Sequence, residues 1–455
     1  MLQILKNKMS LAGVITIIFF SFLALAAPVL TPYTPQGSIV SGQIDPPSWY
    51  PALAGSTTWS QNAQFSGLTV VGSGVQVTVL DQTADGVKFN IVSIPSTGGY
   101  VTVMKTLSYP YSGPPQSFSG KVEVIPSGLD GTAGAPATVY LQQGSSFDSD
   151  HVWPLWEKTF VSGDYNPPTD LTYPTNYGVQ QFTPAQRIFS QKTQYTYAMR
   201  IDLPGYLSSA RNVSFSVKPF SLFLWGTTWG LLGTDNNGND IFTQFVYGTR
   251  VSLIVGLLAT FIGIGVGLVV GLLAGYLGRL VDEVLMRFTD MMLVIPGLPL
   301  LIVLVAVLGP SLWNIILVLG FLGWPGFARV IRSQVLSLRE RPFIEAAKAS
   351  GAGTGYITMK HIFPNIVSLT YVNLALSVPA AIVSEAALSF LGLGPQTIIS
   401  WGQMLELAHG AATTAGLLWW WVIPPGIGIA LLSLSFILIG YALDEMFNPR
   451  LRRRQ

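Results

Sequence analysis

Residues Val251 to Leu277 read VSLIVGLLATFIGIGVGLVVGLLAGYL, an apolar run without a charged side chain. About twenty such residues in a helix cross a hydrocarbon core of roughly 30 Å. Within the run, Gly263, Gly267, Gly271 and Gly275 recur at every fourth position. That spacing puts all four on one helix face and lets another helix approach closely, without saying which helix. Five more stretches have the length and composition of membrane spans: about Met9 to Val29, Met291 to Gly309, Leu312 to Val330, Ile366 to Leu393 and Leu417 to Leu443. Six spans make an α-helical polytopic membrane protein the expected fold class.

Composition agrees. Of 455 residues, 49% are hydrophobic and 10% charged, and the mean hydropathy is positive, which is a membrane profile. Cysteine is absent, so neither a disulfide nor a thiolate metal site is available. Lys6 and Lys8 precede the first span, Arg329, Arg332, Arg339, Arg341, Lys348 and Lys360 crowd the connection after the fourth, and Arg450, Arg452, Arg453 and Arg454 lie in the tail. Six spans put all of these on one side, and the positive-inside rule makes it the cytoplasm. Residues 31–225 are then extracellular, followed by an external segment 226–250, a membrane domain 251–447 and a basic cytoplasmic tail 448–455. Residues 1–30 form a short cytoplasmic start and the first span. Ala24-Leu25-Ala26 also resembles a signal-peptidase site, but the apolar run is long for a signal and a retained anchor is the expectation.

The external stretch has a different period. Val75, Val77 and Val79 alternate with polar residues, as do Val87, Phe89 and Ile91; Tyr100 to Leu107, Lys121 to Ile125, Ala137 to Gln142, Tyr195 to Leu203 and Val213 to Val217 continue the series. Alternation marks half-buried strands, with turns at Asp85-Gly86, Gly98-Gly99 and Asp130-Gly131. About seven or eight strands without clear helices predict an all-β domain, sandwich-like, with a barrel the alternative. Its aromatics, Trp49, Tyr50, Trp59, Trp153, Trp156, Tyr165, Tyr173 and Tyr177 among them, are expected mainly in packing, although such residues also stack on sugars or grip peptides. His151 beside Asp148 and Asp150 is an exposed polar loop rather than a metal site. Asn212-Val213-Ser214 is a glycosylation sequon.

Several residues break the apolar pattern. Pro296 and Pro299 in the third span, and Pro424 and Pro425 in the sixth, remove backbone donors and should bend or break their helices. Glu385 is the ionisable residue well inside the fifth span. A carboxylate there needs a polar setting, so it either lines a pathway or subunit contact, or reaches the outer interface. The run Asp235 to Asp240 lacks the terminal glutamate of a calcium loop and reads as an Asn/Gly-rich turn.

The connection after the fourth span carries Glu345-Ala346-Ala347-Lys348-Ala349-Ser350-Gly351, with Pro364 thirteen residues after the glycine. Pro342 is placed to start a helix there, Glu345 falls in its first turn where the dipole favours an anion, and Gly351 can end it. This stretch resembles the EAA loop, about residues 333–365, of binding-protein-dependent ABC importer permeases. Four more stretches resemble the C-type permease of the dipeptide, oligopeptide and nickel importers: Gly233 to Asp240 continuing through Tyr247 to Leu253; Asp282 to Arg287 with Asp290 and Pro296; Glu385 to Gly394 with Ser400-Trp401-Gly402; and Asn448 to Arg452. Asn239 and Gln244 stand where such permeases usually have arginine and Phe363 where they have leucine, and the large external insert is foreign to the subtype.

The resemblance implies a type I ABC importer fold, with half of a translocation pathway in this chain. Its partners would be a B-type permease, two ATP-binding subunits that dock on Glu345, Ala346, Ala347, Gly351 and Pro364, an extracellular solute-binding protein and membrane lipid, with no nucleic acid. The chain is expected to be no enzyme and to hold no cofactor, ATP and magnesium belonging to the partner subunits. Gly120-Lys121 is followed by valine, and no phosphate-binding Gly-Lys-Ser or Gly-Lys-Thr occurs in the sequence. Peptides are the first expected cargo, with oligosaccharides or nickel as alternatives for the same machine and a surface receptor or adhesin acting through its β-domain as the rival class. For the insert, docking or capping the solute-binding protein comes first, ahead of direct substrate contact or a spacer role.

Overall fold

A computed structural model describes residues 8–54, 59–129, 134–144, 151–161, 166–171, 184–210, 212–416 and 418–447. In chain order it has α1 (Lys8–Leu30) and α2 (Tyr50–Ala54), then β1 (Ala63–Gln64), β2 (Ser66–Ser73), β3 (Gln76–Thr83), β4 (Gly86–Ser93), β5 (Gly99–Ser108) and β6 (Ser117–Ser127). β7 (Ala135–Gln143), β8 (Val152–Phe160), β9 (Asn166–Leu171), α3 (Pro184–Ile188), β10 (Gln194–Leu203) and β11 (Ser214–Trp225) follow. The remainder is helical: α4 (Ile241–Leu277), α5 (Arg279–Val294), α6 (Gly297–Leu308), α7 (Leu312–Arg339), α8 (Pro342–Ala349), α9 (Thr354–Ile357), a π-helical turn (Thr358–Ile362), α10 (Phe363–Phe390), α11 (Trp401–Ala415) and α12 (Trp419–Phe447).

The chain divides into a helical unit, residues 1–38 with 239–455, and a β unit, residues 39–238. In the helical unit, α1, α4, α7, the stretch Thr354–Phe390 and α12 are each long and apolar enough to cross a membrane. The expected third span, Met291 to Gly309, is not one straight helix. α5 and α6 meet at 90°, because Ile295 is extended and Pro296, which has no N–H, caps α6. α5 is also amphipathic rather than apolar, since Asp282, Glu283, Arg287 and Asp290 fall within it. Among the described residues the helical unit therefore has five helices long and apolar enough to cross a membrane, or six spans if the bent pair counts as one broken span.

Other boundaries follow from local chemistry. α4 begins at Ile241, ahead of the expected start, because Asp240 caps it: Oδ2 accepts from Thr243 N at 2.8 Å and from Thr243 Oγ1 at 2.6 Å. Pro424 and Pro425 do not break α12, which runs without interruption from Trp419 to Phe447. They fall in its second turn, where few carbonyls precede them to be left unpaired. α1 packs by one face against the other helices: Phe20 meets Trp401 edge-on at 5.5 Å, and the Arg250 guanidinium donates to Ala24 O.

The β unit contains two antiparallel sheets. One has the order β3-β4-β11-β6-β9 with β1 also on β11; the other has the order β2-β5-β10-β7-β8. Inward-facing residues of both, among them Phe89, Val103, Val139, Tyr197, Met199 and Phe215, form one buried cluster. The eleven strands among the described residues exceed the seven or eight expected. β8 contains Trp153, Pro154 and Trp156 in place of a clean alternation, and β9 contains Pro167 and Pro168, so period-two counting passes over both. Trp153 and Trp156 pack against the core, and Tyr50 meets Trp59 at 6.0 Å. Tyr165, Tyr173, Tyr177, Asp148, Asp150 and the Asp130-Gly131 turn lie outside the described residues.

The two ends of the β unit are tied together. Val40 N donates to Gly238 O at 2.9 Å, Ile44 N to Asp235 O at 2.9 Å, and Asp45 and Thr234 exchange two bonds of 2.8 Å, one through the Thr234 hydroxyl. Asp235 Oδ1 accepts from Asn237 N at 2.7 Å, the local turn that the Asn/Gly-rich run predicts. Asp45 itself is buried, accepts from Ser41 Oγ at 2.7 Å, and is pushed by burial up to about 6. A carboxyl raised above its ordinary value binds its proton more tightly when folded. Stability should thus rise as pH falls from about 7 toward 4, by up to roughly 3 kcal/mol. Asp45→Asn is expected to raise the melting temperature at neutral pH and to flatten this dependence. Parallel melting curves for wild type and variant between pH 4.5 and 8 check it.

Candidate functional site

The segment between α7 and α10 folds from its own sequence. Pro342 occupies the first turn of α8. Gly351 ends the turn at φ +82°, with Ala352 N donating to Ala347 O at 3.1 Å and Gly351 N to Lys348 O at 3.0 Å, the left-handed closure that glycine favours. α9 then passes through the π-helical turn directly into α10. Ile344, Ile357 and Ile362 are fully buried in a cluster with Ile264 and Leu272 of α4, Phe327, Ile331 and Val335 of α7, and Ile366 of α10. Phe343, Tyr356 and Met359 face outward. Lys348 Nζ lies 5.8 Å from the Tyr276 ring centre at the end of α4.

A shallow concavity of about 570 Å³ opens on this segment, lined by Phe343, Ala346, Ala347, Gly351, Tyr356 and His361 among others. Three of the five residues singled out from the sequence thus share one surface. Glu345 is exposed on the same helix outside that lining, and Pro364 is exposed in the first turn of α10. Tyr356 meets the His361 ring edge-on at 5.7 Å, a contact that nothing in the spacing announces.

The glycine face of α4 packs against α7. A Cβ at Gly263 would lie 3.1 Å from Gly320 O, at Gly267 2.8 Å from Trp324 O, at Gly271 2.6 Å from Ala328 O and at Gly275 2.7 Å from Val335 Cβ. α7 is also tied to α5 by charge: Asp282 takes a two-pronged contact from the Arg332 guanidinium, and Asp290 pairs with Arg329. A lone count of positive residues hid these pairs, which sit fifty and thirty-nine positions apart.

Elsewhere in the helical unit, α4, α6, α7 and α10 line a partly open cavity of about 270 Å³ with Thr260, Gly263, Leu301, Ser377 and Ser384 on its wall. Glu385 is not on that wall. It is 1% exposed, and its Oε1 accepts from Ser389 Oγ at 2.7 Å, one turn along α10. It therefore does not reach a bilayer interface; the close seat of α11, where a Cβ at Gly402 would lie 2.6 Å from Ala386 Cα, shuts it in. Ser389→Ala removes one of the two serine hydroxyls on this carboxyl, Ser400 being the other, and is expected to cost about 0.5–1.5 kcal/mol, whereas Glu385→Gln keeps an acceptor and should melt near wild type. Thermal unfolding of the solubilised protein separates the two. Gln244, fully buried, donates from Nε2 to Pro35 O at 3.2 Å. A neutral amide suits this place, because a buried guanidinium would need a counter-charge.

Comparison with known proteins follows the same map. Residues 267–453 match the model of the binding-protein-dependent transport system inner membrane component. Residues 1–48 match that of the N-terminal TM domain of oligopeptide transport permease C. A putative peptide permease protein of Brucella suis is 37% identical over 220 residues, covering 48% of this chain and 72% of the relative. The dipeptide transport system permease protein DppC of Alkalihalophilus pseudofirmus is 42% identical over 221 residues, with the same coverage. The oligopeptide transport system permease protein OppC of Bacillus subtilis is 34% identical over 249 residues, covering 54% and 79%. The two family matches leave residues 49–266, most of them in the β unit, between them. With the glycine-packed bundle on one side and the Glu345 segment at its end, the chain belongs to the family of binding-protein-dependent transport system inner membrane components, in the C-type peptide permease group.

Proposed function

We propose that this protein is the C-type subunit of an ATP-driven importer of di- and oligopeptides, forming half of the translocation pathway. The observation that carries the coupling role is the continuous rod from α9 through the π-helical turn into α10, which joins the concavity at Ala346, Ala347 and Gly351 to the cavity wall at Ser377 and Ser384. Closure of two ATP-binding subunits would push on the exposed face of α8 and α9. Ile344, Ile357 and Ile362 would pass the push to α4 and α7, which the glycine contacts make into one stiff pair. Close packing transmits such a displacement instead of absorbing it.

In this reading a B-type permease supplies the other half of the pathway, a solute-binding protein delivers the peptide, and ATP with magnesium sits on the partner subunits. The chain is a subunit of the plasma membrane with both termini cytoplasmic. Arg329, Arg332, Arg339, Arg341, Lys348 and Lys360 gather near the segment between α7 and α10, which supports a cytoplasmic side there; in this reading the β unit is an extracellular β-sandwich. The test is mass spectrometry of proteins and small molecules that co-purify with the gently solubilised chain. A second permease, ATP-binding subunits and a binding protein carrying peptides are expected. A bound sugar or nickel would replace the cargo, and the absence of any ATP-binding subunit across several mild detergents would contradict the importer reading.

A further inference from the structure

The sheet β2-β5-β10-β7-β8 turns one face to the core, and its other face is not bare. Register places Val71, Thr102, Arg200 and Thr138 in one row across four strands, Met104, Ala198 and Tyr140 in the next, and Thr196 with Gln142 in a third. Side chains that are opposite in register share a face. All of these but Thr138 line a groove of about 390 Å³, within the range of roughly 300–1,000 Å³ of ligand clefts. Thr102, Tyr140, Gln142 and Thr196 are 8%, 7%, 5% and 2% exposed although they point away from the core, so polar groups form the floor of a cleft rather than an ordinary solvated face.

Three features restrict the occupant. Gln142 Oε1 is buried with no hydrogen-bond partner among the described residues, a desolvated acceptor that a ligand hydroxyl would satisfy. Arg200 Nε donates to Asp202 Oδ1 at 2.8 Å, and the guanidinium stacks 3.9 Å from the Tyr100 ring centre. The charge in the groove is thereby cancelled from within, so neither an anion nor a cation is favoured. β5, β10 and β7 are interior strands whose backbone groups are paired on both sides, so a peptide finds no strand edge to join. Recognition has to run through side chains: the Tyr100–Arg200 stack, the Thr102 hydroxyl and the Gln142 amide. Burial pushes the Tyr140 hydroxyl up, which keeps it protonated.

We infer that this groove binds a neutral oligosaccharide. Vicinal hydroxyls of one sugar unit meet the Gln142 amide and the Thr102 hydroxyl, while an apolar sugar face lies along the edge of the Tyr100–Arg200 stack. Of the roles open to the β unit, direct ligand contact is the one for which the described residues supply the chemistry. The inference goes beyond the permease reading and does not depend on it, since binding is read without transport.

The experiment is titration calorimetry of the full chain in lipid nanodiscs free of glycoside detergent, against neutral gluco-, manno-, xylo- and N-acetylglucosamine hexasaccharides. Hexagalacturonate and a mixed hexapeptide pool are the comparison ligands. At least one neutral sugar is expected to bind with Kd below about 1 mM. Gln142→Leu is expected to weaken it at least tenfold while leaving the melting temperature unchanged or higher, because it removes a buried unpaired acceptor. Tyr100→Ala, on a partly exposed ring, is expected to weaken it comparably and settles the matter should Gln142→Leu impair folding. No binding by any neutral hexasaccharide, tighter binding of hexagalacturonate or peptide, or binding that survives both substitutions overturns the proposal.

Discussion

Gly271→Leu is expected to remove most of the folded protein from detergent extracts, while Gly265→Leu, six positions earlier in the same helix, leaves it intact. At Gly271 even the first added carbon would sit 2.6 Å from Ala328 O and 2.7 Å from Ile331 Cβ. The obstruction is backbone and a β-branched stem, neither of which can rotate away, and a leucine adds three more carbons in the same place. Overpacking of ordinary cores costs about 1–3 kcal/mol. Here α4 must separate from α7 along the whole glycine face, so the cost should be at or above the top of that range. Nothing lies within 4 Å of a Cβ at Gly265, which makes it the control for hydrophobicity and helix propensity. Fluorescence-detected size exclusion after a temperature ramp reads both. Equal melting of the two variants would show that α4 and α7 do not depend on this contact.

The second large effect is functional. Gly351→Pro combined with Glu345→Ala is expected to lower ATP-driven uptake in reconstituted vesicles at least tenfold while the membrane helices stay folded. Gly351 holds φ at +82°, and proline is fixed near −65°, so the turn between α8 and α9 cannot close and Ala352 N loses Ala347 O. Glu345, exposed in the first turn of α8, is free to serve a partner rather than the fold. Gly351→Asn, which tolerates the left-handed conformation, is expected to keep more than half of the uptake. Full uptake by the double variant would remove this segment from the coupling path.

Much of the helical unit was legible because membrane spans follow from length and apolarity, and because four-residue glycine spacing has one geometric meaning. What the spacing could not supply was the partner: α7 is identified only when Gly320 O and Ala328 O are seen against the stripe. Pro296 announced a break, but not the 90° angle, nor that Asp282 and Asp290 of the amphipathic α5 pair with Arg332 and Arg329 far along the chain. For Glu385 the sequence posed two settings, and burial against Ser389 under α11 excludes the interfacial one. In the β unit, alternating strands such as β4 and β5 were visible, while the proline-bearing β8 and β9 were not. The Gln142 and Arg200 groove was hidden for a different reason. Its members come from four strands, and only the register brings them onto one face.

The most direct test of the coupling role uses the absence of cysteine from the chain. A single thiol introduced by Ala346→Cys, in the concavity beside Gly351, can be cross-linked in native membranes and its partner identified. The expected product joins this chain to an ATP-binding subunit, with a yield that changes when ATP is added. Cross-linking to no ATP-binding subunit, with the thiol instead labelled from outside the cell by an impermeant reagent, would contradict both the coupling role and the orientation of the chain.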